Sequence, residues 1–163
     1  MQPVDPEVLL SELPLEHLRE LATFGALPED AVRWLIENGK IVELEADEML
    51  FKTGDRVNEF YIVLIGSLST CRPLKDQLVL TRLCQPGEHV GFTGMIALHD
   101  RYGTAIAKQQ SILLEISSSQ FYQMHEELPQ AFGILLLNLT RELARNVGVL
   151  GDKITTLSET LLR

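Results

Sequence analysis

A chain of 163 residues, 45% hydrophobic and 23% charged, is sized for one domain with a substantial core and short appendages. Its formal charge of −9 is unevenly placed, since residues 1–50 carry 12 acids and 3 bases while residues 51–163 carry 11 of each. No cluster of Lys and Arg is present to neutralise phosphates or to face an acidic lipid surface, which argues against a nucleic-acid binder and against a membrane-surface protein.

The opening Met1-Gln2-Pro3-Val4-Asp5-Pro6-Glu7 is acidic and proline-bearing where a signal peptide is basic and then apolar. With no apolar run of the ~18 residues that a membrane span needs, a cytoplasmic location is the expectation. Residues 1–39 read as an N-terminal helical region. Leu9, Leu10, Leu13, Leu18, Leu21 and Ala22 recur at helical spacing around a break at Pro14. A second helix starts at Pro28 with Glu29 and Asp30 in its first turn and stops at Asn38-Gly39. The acidity of this region suits either a solvated face or a docking surface for a basic partner, an effector protein whose identity the sequence leaves open.

The period changes after Gly39. Short strand-like runs at 41–44, 49–51, 60–65, 68–71, 78–84, 88–91, 104–107 and 112–116 are separated by Gly54-Asp55, Gly66-Ser67, Pro86-Gly87 and the 99–103 turn. The expected fold is therefore mainly β with flanking helices: an eight-stranded antiparallel jelly roll over residues 40–117, with helices at both ends. Residues 118–163 read as C-terminal helices. A short one covers 118–126, and a long one runs from Pro129 to about Leu162, with the stripe Leu136, Leu139, Leu143, Val147, Leu150, Ile154, Leu157 and Leu161. That near-heptad seam predicts a homodimer through residues 129–162. The competing expectation is a helix folded back on its own roll, bent at Gly148 and Gly151.

Few residues suggest chemistry. Cys71 and Cys84 lie in strand-like runs with no CxxC spacing, and His17, His89, His99 and His125 form no ligand cluster, so neither a redox site nor a metal site is expected. No nucleophile elbow, phosphate-binding loop or dinucleotide fingerprint occurs, so an enzyme is not expected, nor is a resident cofactor. What stands out is the segment 86–105, where Gly91 and Gly94 flank a short helix over Thr93–Leu98 and Arg101 leads back into a strand. Backbone N–H groups beside a guanidinium fork make an anion cradle. Turn glycines with a solvated arginine are the plainer reading of the same residues.

The order of helices, roll, glycine-bearing short helix with arginine, and long helix resembles the cyclic-nucleotide-binding domain family. That is the sensor half of catabolite-activator-type regulators and of kinase regulatory subunits. The residues that carry the resemblance are Leu50-Phe51-Lys52-Thr53-Gly54-Asp55, Phe60–Leu68, Pro86-Gly87 with Gly91, and Leu113–Ser117 before Phe121. The family's phosphate-binding cassette, a Gly-Glu, a short helix, then Arg and small residues, falls here on Gly91, Phe92 and Arg101, followed by Tyr102 and Gly103. The resemblance implies that Arg101 pairs with a ligand phosphate and that Gly91, Phe92, Thr93, Gly94, Tyr102 and Gly103 surround it. Phe92 cannot accept the ribose hydrogen bond that the family's Glu accepts, a loss of about 1.5–3 kcal/mol. The resemblance also implies that a polar residue of the long helix, Thr140, Arg141 or Asn146, reaches the base. The implied function is a non-enzymatic sensor or regulatory module for a small phosphate-containing ligand, cAMP, cGMP or a related nucleotide. The alternative is a ligand-free dimeric scaffold in which Phe92 and Tyr102 fill the pocket. Activators of the family carry a DNA-reading unit after the long helix, and with the sequence ending at Arg163 none is expected.

Overall fold

A computed structural model describes residues 1–162. The N-terminal helical region is α1 (Pro6–Glu12), α2 (Leu15–Glu20), a 3-10 turn (Ala22–Phe24) and α3 (Glu29–Asn38). Asp5 caps α1 by accepting from the Glu7 N–H, and Pro14 separates α1 from α2. Ahead of them lies a strand that the sequence reading missed, β1 (Gln2–Val4). All eight expected strands follow: β2 (Lys40–Leu44), β3 (Met49–Phe51), β4 (Glu59–Ile65), β5 (Leu68–Leu74), β6 (Gln77–Cys84), β7 (His89–Val90), β8 (Thr104–Ala107) and β9 (Ser111–Ser117). The helix α4 (Phe92–Ile96) interrupts the run between β7 and β8. The chain closes with α5 (Ser118–Glu127), which begins in a capping box between Ser117 and Gln120, and with α6 (Pro129–Leu161).

The strands form two antiparallel sheets facing each other, β1-β2-β9-β4-β7 and β3-β8-β5-β6, which is the expected jelly roll. Strand alternation divides the core into two layers. Along β4, Phe60, Ile62 and Leu64 pack against the helices with Phe24, Leu35, Phe121 and Leu135, while Tyr61 and Val63 face the second sheet with Leu68, Cys84, Ala105 and Leu113. β4 is thus buried on both sides, which is why its sequence reads as an unbroken apolar run.

α6 is one continuous helix of 33 residues, uninterrupted at Gly148 and Gly151. At about 1.5 Å per residue it is roughly 50 Å long. Its first half packs onto the roll's helical layer through Ala131, Leu135 and Leu139, all buried. Its second half leaves Val147, Leu150, Ile154, Leu157 and Leu161 exposed. Among the described residues no helix is long and apolar enough to cross a membrane.

Phe60 is fully buried and meets Phe92 and Phe121 edge-on at centroid distances of 5.1 and 5.6 Å. Truncating it opens a cavity between sheet and helices, so Phe60→Ala is expected to lower stability by about 3–5 kcal/mol in urea denaturation. A loss under ~1 kcal/mol would mean that this aromatic contact does not hold the helices on the sheet.

Candidate functional site

The open end of the roll holds a cavity of about 850 Å³, bounded by β5, β6, the β7–α4 segment, the lead into β8, and α6. The inner face of the β5–β6 pair explains it. Leu68 and Cys84, paired in register, close the core, and the next inward pair, Thr70 and Arg82, is polar and lines the cavity. The apolar filling therefore stops one rung short of the rim.

Arg101 sits at one wall and is almost wholly buried. The turn Lys52–Asp55 grips its backbone: the Arg101 N–H donates to the Asp55 carbonyl at 2.8 Å, and the Gly54 N–H donates to the Arg101 carbonyl at 2.9 Å. The guanidinium lies over the Phe51 ring, 4.0 Å from its centroid. Nη2 donates to Glu59 Oε1 at 2.5 Å and Nη1 to the Gly91 carbonyl at 3.3 Å, while Nε is buried with no partner. Gly91 has φ +84, and a Cβ there would collide with Nη1 of Arg101, so the glycine is required both by its backbone and by the close approach of the guanidinium. At Gly103 a Cβ would stand 2.7 Å from the Cys71 carbonyl.

Of the residues expected at the site, Gly91, Thr93, Gly94, Arg101, Tyr102 and Gly103 line the cavity. Phe92 does not. Its ring points the other way, into the cluster with Phe60, Phe121 and His89, because it opens α4 on that helix's buried side. The pocket-filling role expected of Phe92 and Tyr102 is accordingly corrected: Phe92 is core, and Tyr102, 36% exposed and stacked on His99, borders a cavity that stays open. Of Thr140, Arg141 and Asn146, only Asn146 reaches the cavity, whereas Thr140 bonds the Leu136 carbonyl and Arg141 bonds Asn138 along their own helix.

Several residues at the site were not foreseen. Glu142, buried on α6, receives Arg82 Nη2 and accepts from the His89 N–H at 3.1 and 3.2 Å. Arg82 also lies 3.5 Å from Glu88, the only carboxylate lining the cavity among the described residues. Burial pushes the Glu142 pKa up, against the pull of Arg82. A signal for Glu142 exists, because it stands three residues after Leu139 and seven after Leu135, in phase with the buried face of α6. Glu59, the partner of Arg101, opens β4 just ahead of its apolar run and carries no such mark.

The His89 ring is buried, and neither nitrogen has a hydrogen-bond partner. Nε2 is 3.6 Å from Glu142, too far for a hydrogen bond. Burial first, and the Arg82 charge second, push its pKa down to about 3, so the imidazole is neutral in the fold.

A family model for the cyclic nucleotide-binding domain matches residues 41–127, more than half of the chain. Among solved structures, a cyclic nucleotide-binding domain from Methylobacillus flagellatus is 19% identical, with 93% of this chain and 84% of that one aligned at a TM-score of 0.78. The Thermus thermophilus catabolite activator protein is 22% identical over 84% of this chain, which spans 63% of that protein, at a TM-score of 0.71. The regulatory domain of Toxoplasma gondii PKA, solved with cAMP, is 22% identical over 74% of this chain and 46% of that one, at a TM-score of 0.62. At these identities the likeness is one of fold. No protein of curated function matches the chain.

The depressed His89 pKa sets a pH dependence. A group harder to protonate in the fold than in the unfolded chain adds stability that is complete above the free value of 6.5 and drains away as pH falls toward about 3. Glu142, shifted up, acts in the opposite sense. His89→Leu forfeits no side-chain hydrogen bond, so relative to this variant the parent should lose up to about 1.4 kcal/mol per pH unit below pH ~6 in urea titrations. A difference that stays constant with pH would remove His89 from the account.

Proposed function

The chain belongs to the cyclic nucleotide-binding domain family, and from that premise we propose that it is a non-enzymatic sensor module whose cavity takes a small phosphate-bearing ligand, cAMP, cGMP or a related nucleotide. One observation carries the reading: the buried Arg101 guanidinium borders an open cavity and keeps its Nε without a partner. A bound phosphate accepts from Arg101 and from the Gly91–Gly94 backbone. With Phe92 turned into the core, Glu88 is the carboxylate left to meet a ribose hydroxyl, and Asn146 is the polar group of α6 that faces the base.

Ligand and helix pairing are linked through shared residues. Val147 and Leu150 border the cavity and also belong to the exposed stripe that continues through Ile154, Leu157 and Leu161. That stripe pairs with its copy in a homodimer, each fully covered side chain contributing about 1.5–3 kcal/mol. A ligand that touches the cassette and α6 together favours one arrangement of the paired helices, because its contacts differ between the arrangements. The output then passes to an effector protein.

Calorimetric titration of the full chain with cAMP and cGMP tests the ligand. Arg101→Lys keeps the charge but not the planar fork, and at least a ~10-fold loss of affinity with unchanged secondary structure is expected. Equal affinity of parent and variant would refute the assignment of Arg101. Light scattering tests the dimer: Ile154→Glu with Leu157→Glu should give a monomer where the parent is a dimer, and a monomeric parent would refute the seam.

A further inference from the structure

Among the described residues four cations line the cavity, Arg72 on β5, Arg82 on β6, Arg101 ahead of β8 and Lys153 on α6, against the single carboxylate Glu88. Two of the four have carboxylates of their own: Arg101 is paired with Glu59, and Arg82 with Glu142 and Glu88. Arg72 and Lys153 have none among the described residues. Lys153 Nζ donates at 2.9 Å to the Thr81 carbonyl, a neutral acceptor that holds the ammonium against β6 beside Arg82. The Arg72 guanidinium stands 5.5 Å from the centre of the Tyr102 ring, also at the rim. Arg72 lies beyond the Thr70–Arg82 rung on β5, and Lys153 borders the same cavity from α6. They belong to a chain whose total charge is −9.

A cyclic mononucleotide carries one phosphodiester, which Arg101 and the Gly91–Gly94 backbone already serve in the reading above. It leaves Arg72 and Lys153 unmatched, and it leaves much of an 850 Å³ cavity empty, a volume toward the upper end of the roughly 300–1,000 Å³ that small-molecule sites occupy. We propose that Arg72 and Lys153 form a second anion subsite in this cavity and that its ligand carries two separate phosphate groups, one on Arg101 and one between β5 and α6. Thr70 and Thr81 also border the cavity, but their hydroxyls are engaged with each other and with the Thr70 and Arg82 carbonyls, so the second phosphate is held by the two cations. Because Lys153 lies on α6 and Arg72 on the roll, the second phosphate bridges roll and helix.

The inference rests on the ligand site proposed above, and its test separates the two. The full chain is titrated calorimetrically with cyclic GMP and with cyclic di-GMP, which share a base and differ in the number of phosphodiesters. The parent and an Arg72→Gln, Lys153→Gln double variant are compared at low and high salt. Both replaced side chains are solvent-exposed, so the fold is not at stake. The expected result is that the dinucleotide binds the parent at least ~10-fold tighter than the mononucleotide. The double variant should lose at least ~10-fold for the dinucleotide while staying within ~2-fold for the mononucleotide. The parent's preference for the dinucleotide should also shrink at high salt. A double variant that weakens both ligands alike or neither, or a dinucleotide that does not bind where cyclic GMP does, overturns the second subsite and leaves the Arg101 site standing. Absence of binding by both probes overturns the second subsite, and if cAMP fails to bind as well the Arg101 site falls with it.

Discussion

A guanidinium cannot be buried unless its surroundings are built to receive it, and the interior position of Arg101 is the constraint around which the rest of the site is arranged. Its charge is met by Glu59 at the start of β4, its face by Phe51 at the end of β3, and one N–H by the Gly91 carbonyl ahead of α4. Its backbone is fastened on both sides to the Gly54–Asp55 turn. These partners come from three stretches of chain, 51–55, Glu59 and Gly91, and they meet on Arg101 because β3 pairs with β8 and β4 pairs with β7. The Gly-Asp turn and the cassette, which look like independent motifs along the sequence, are two halves of one clamp.

That clamp also explains what could be read in advance. The roll was legible because its strands are short, periodic and bounded by glycine turns. The tight turn at Gly91 and the arginine ten residues later likewise announce themselves. β1 escaped because it is three residues long, contains Pro3 and finds its partner β2 some forty residues away, and an edge position is where a strand tolerates proline. Phe92 was misread for a related reason. Its neighbours in sequence place it in the cassette, but the rotation of α4 sends its ring into the cluster with Phe60 and Phe121, and no local pattern encodes that rotation. Glu59 and Arg101 are 42 residues apart, and Arg82 and Glu142 are 60 apart. Pairs at such separation are products of topology.

A second charge system, Arg82 with Glu142 and Glu88, ties α6 to the rim of the roll. Its position along the helix matters. Before Glu142 the helix is held by its own chain through Leu135 and Leu139, and after Leu143 its apolar residues face outward. The cavity is bordered by residues 143–153, so it lies where α6 passes from one environment to the other. Breaking a buried pair by removing one partner strands the other charge, at a cost of about 3–5 kcal/mol. The helix is therefore anchored firmly at 142 and beyond it is tied to the roll by the exposed Lys153–Thr81 hydrogen bond, so a small change at the cavity acts on the part of the helix that its own chain holds less tightly.

The uneven charge of the chain takes on a different meaning in this setting. An excess of acids confined to the first fifty residues, on the helices α1 to α3, the strand β2 and the turn that follows it, lies outside the wall that lines the cavity. Exposed charges more than a Debye length apart, about 8 Å at physiological ionic strength, are largely screened from one another. Arg101, at 3% exposure, is shielded from the solvent that does the screening. An anion at the cavity therefore responds to Arg101, Arg82, Arg72 and Lys153 and hardly at all to the net −9. Overall charge argues against a polyanion wrapped on the surface, but it has no bearing on a small anion taken into the roll, and the two conclusions hold together because screening separates the length scales on which each is decided.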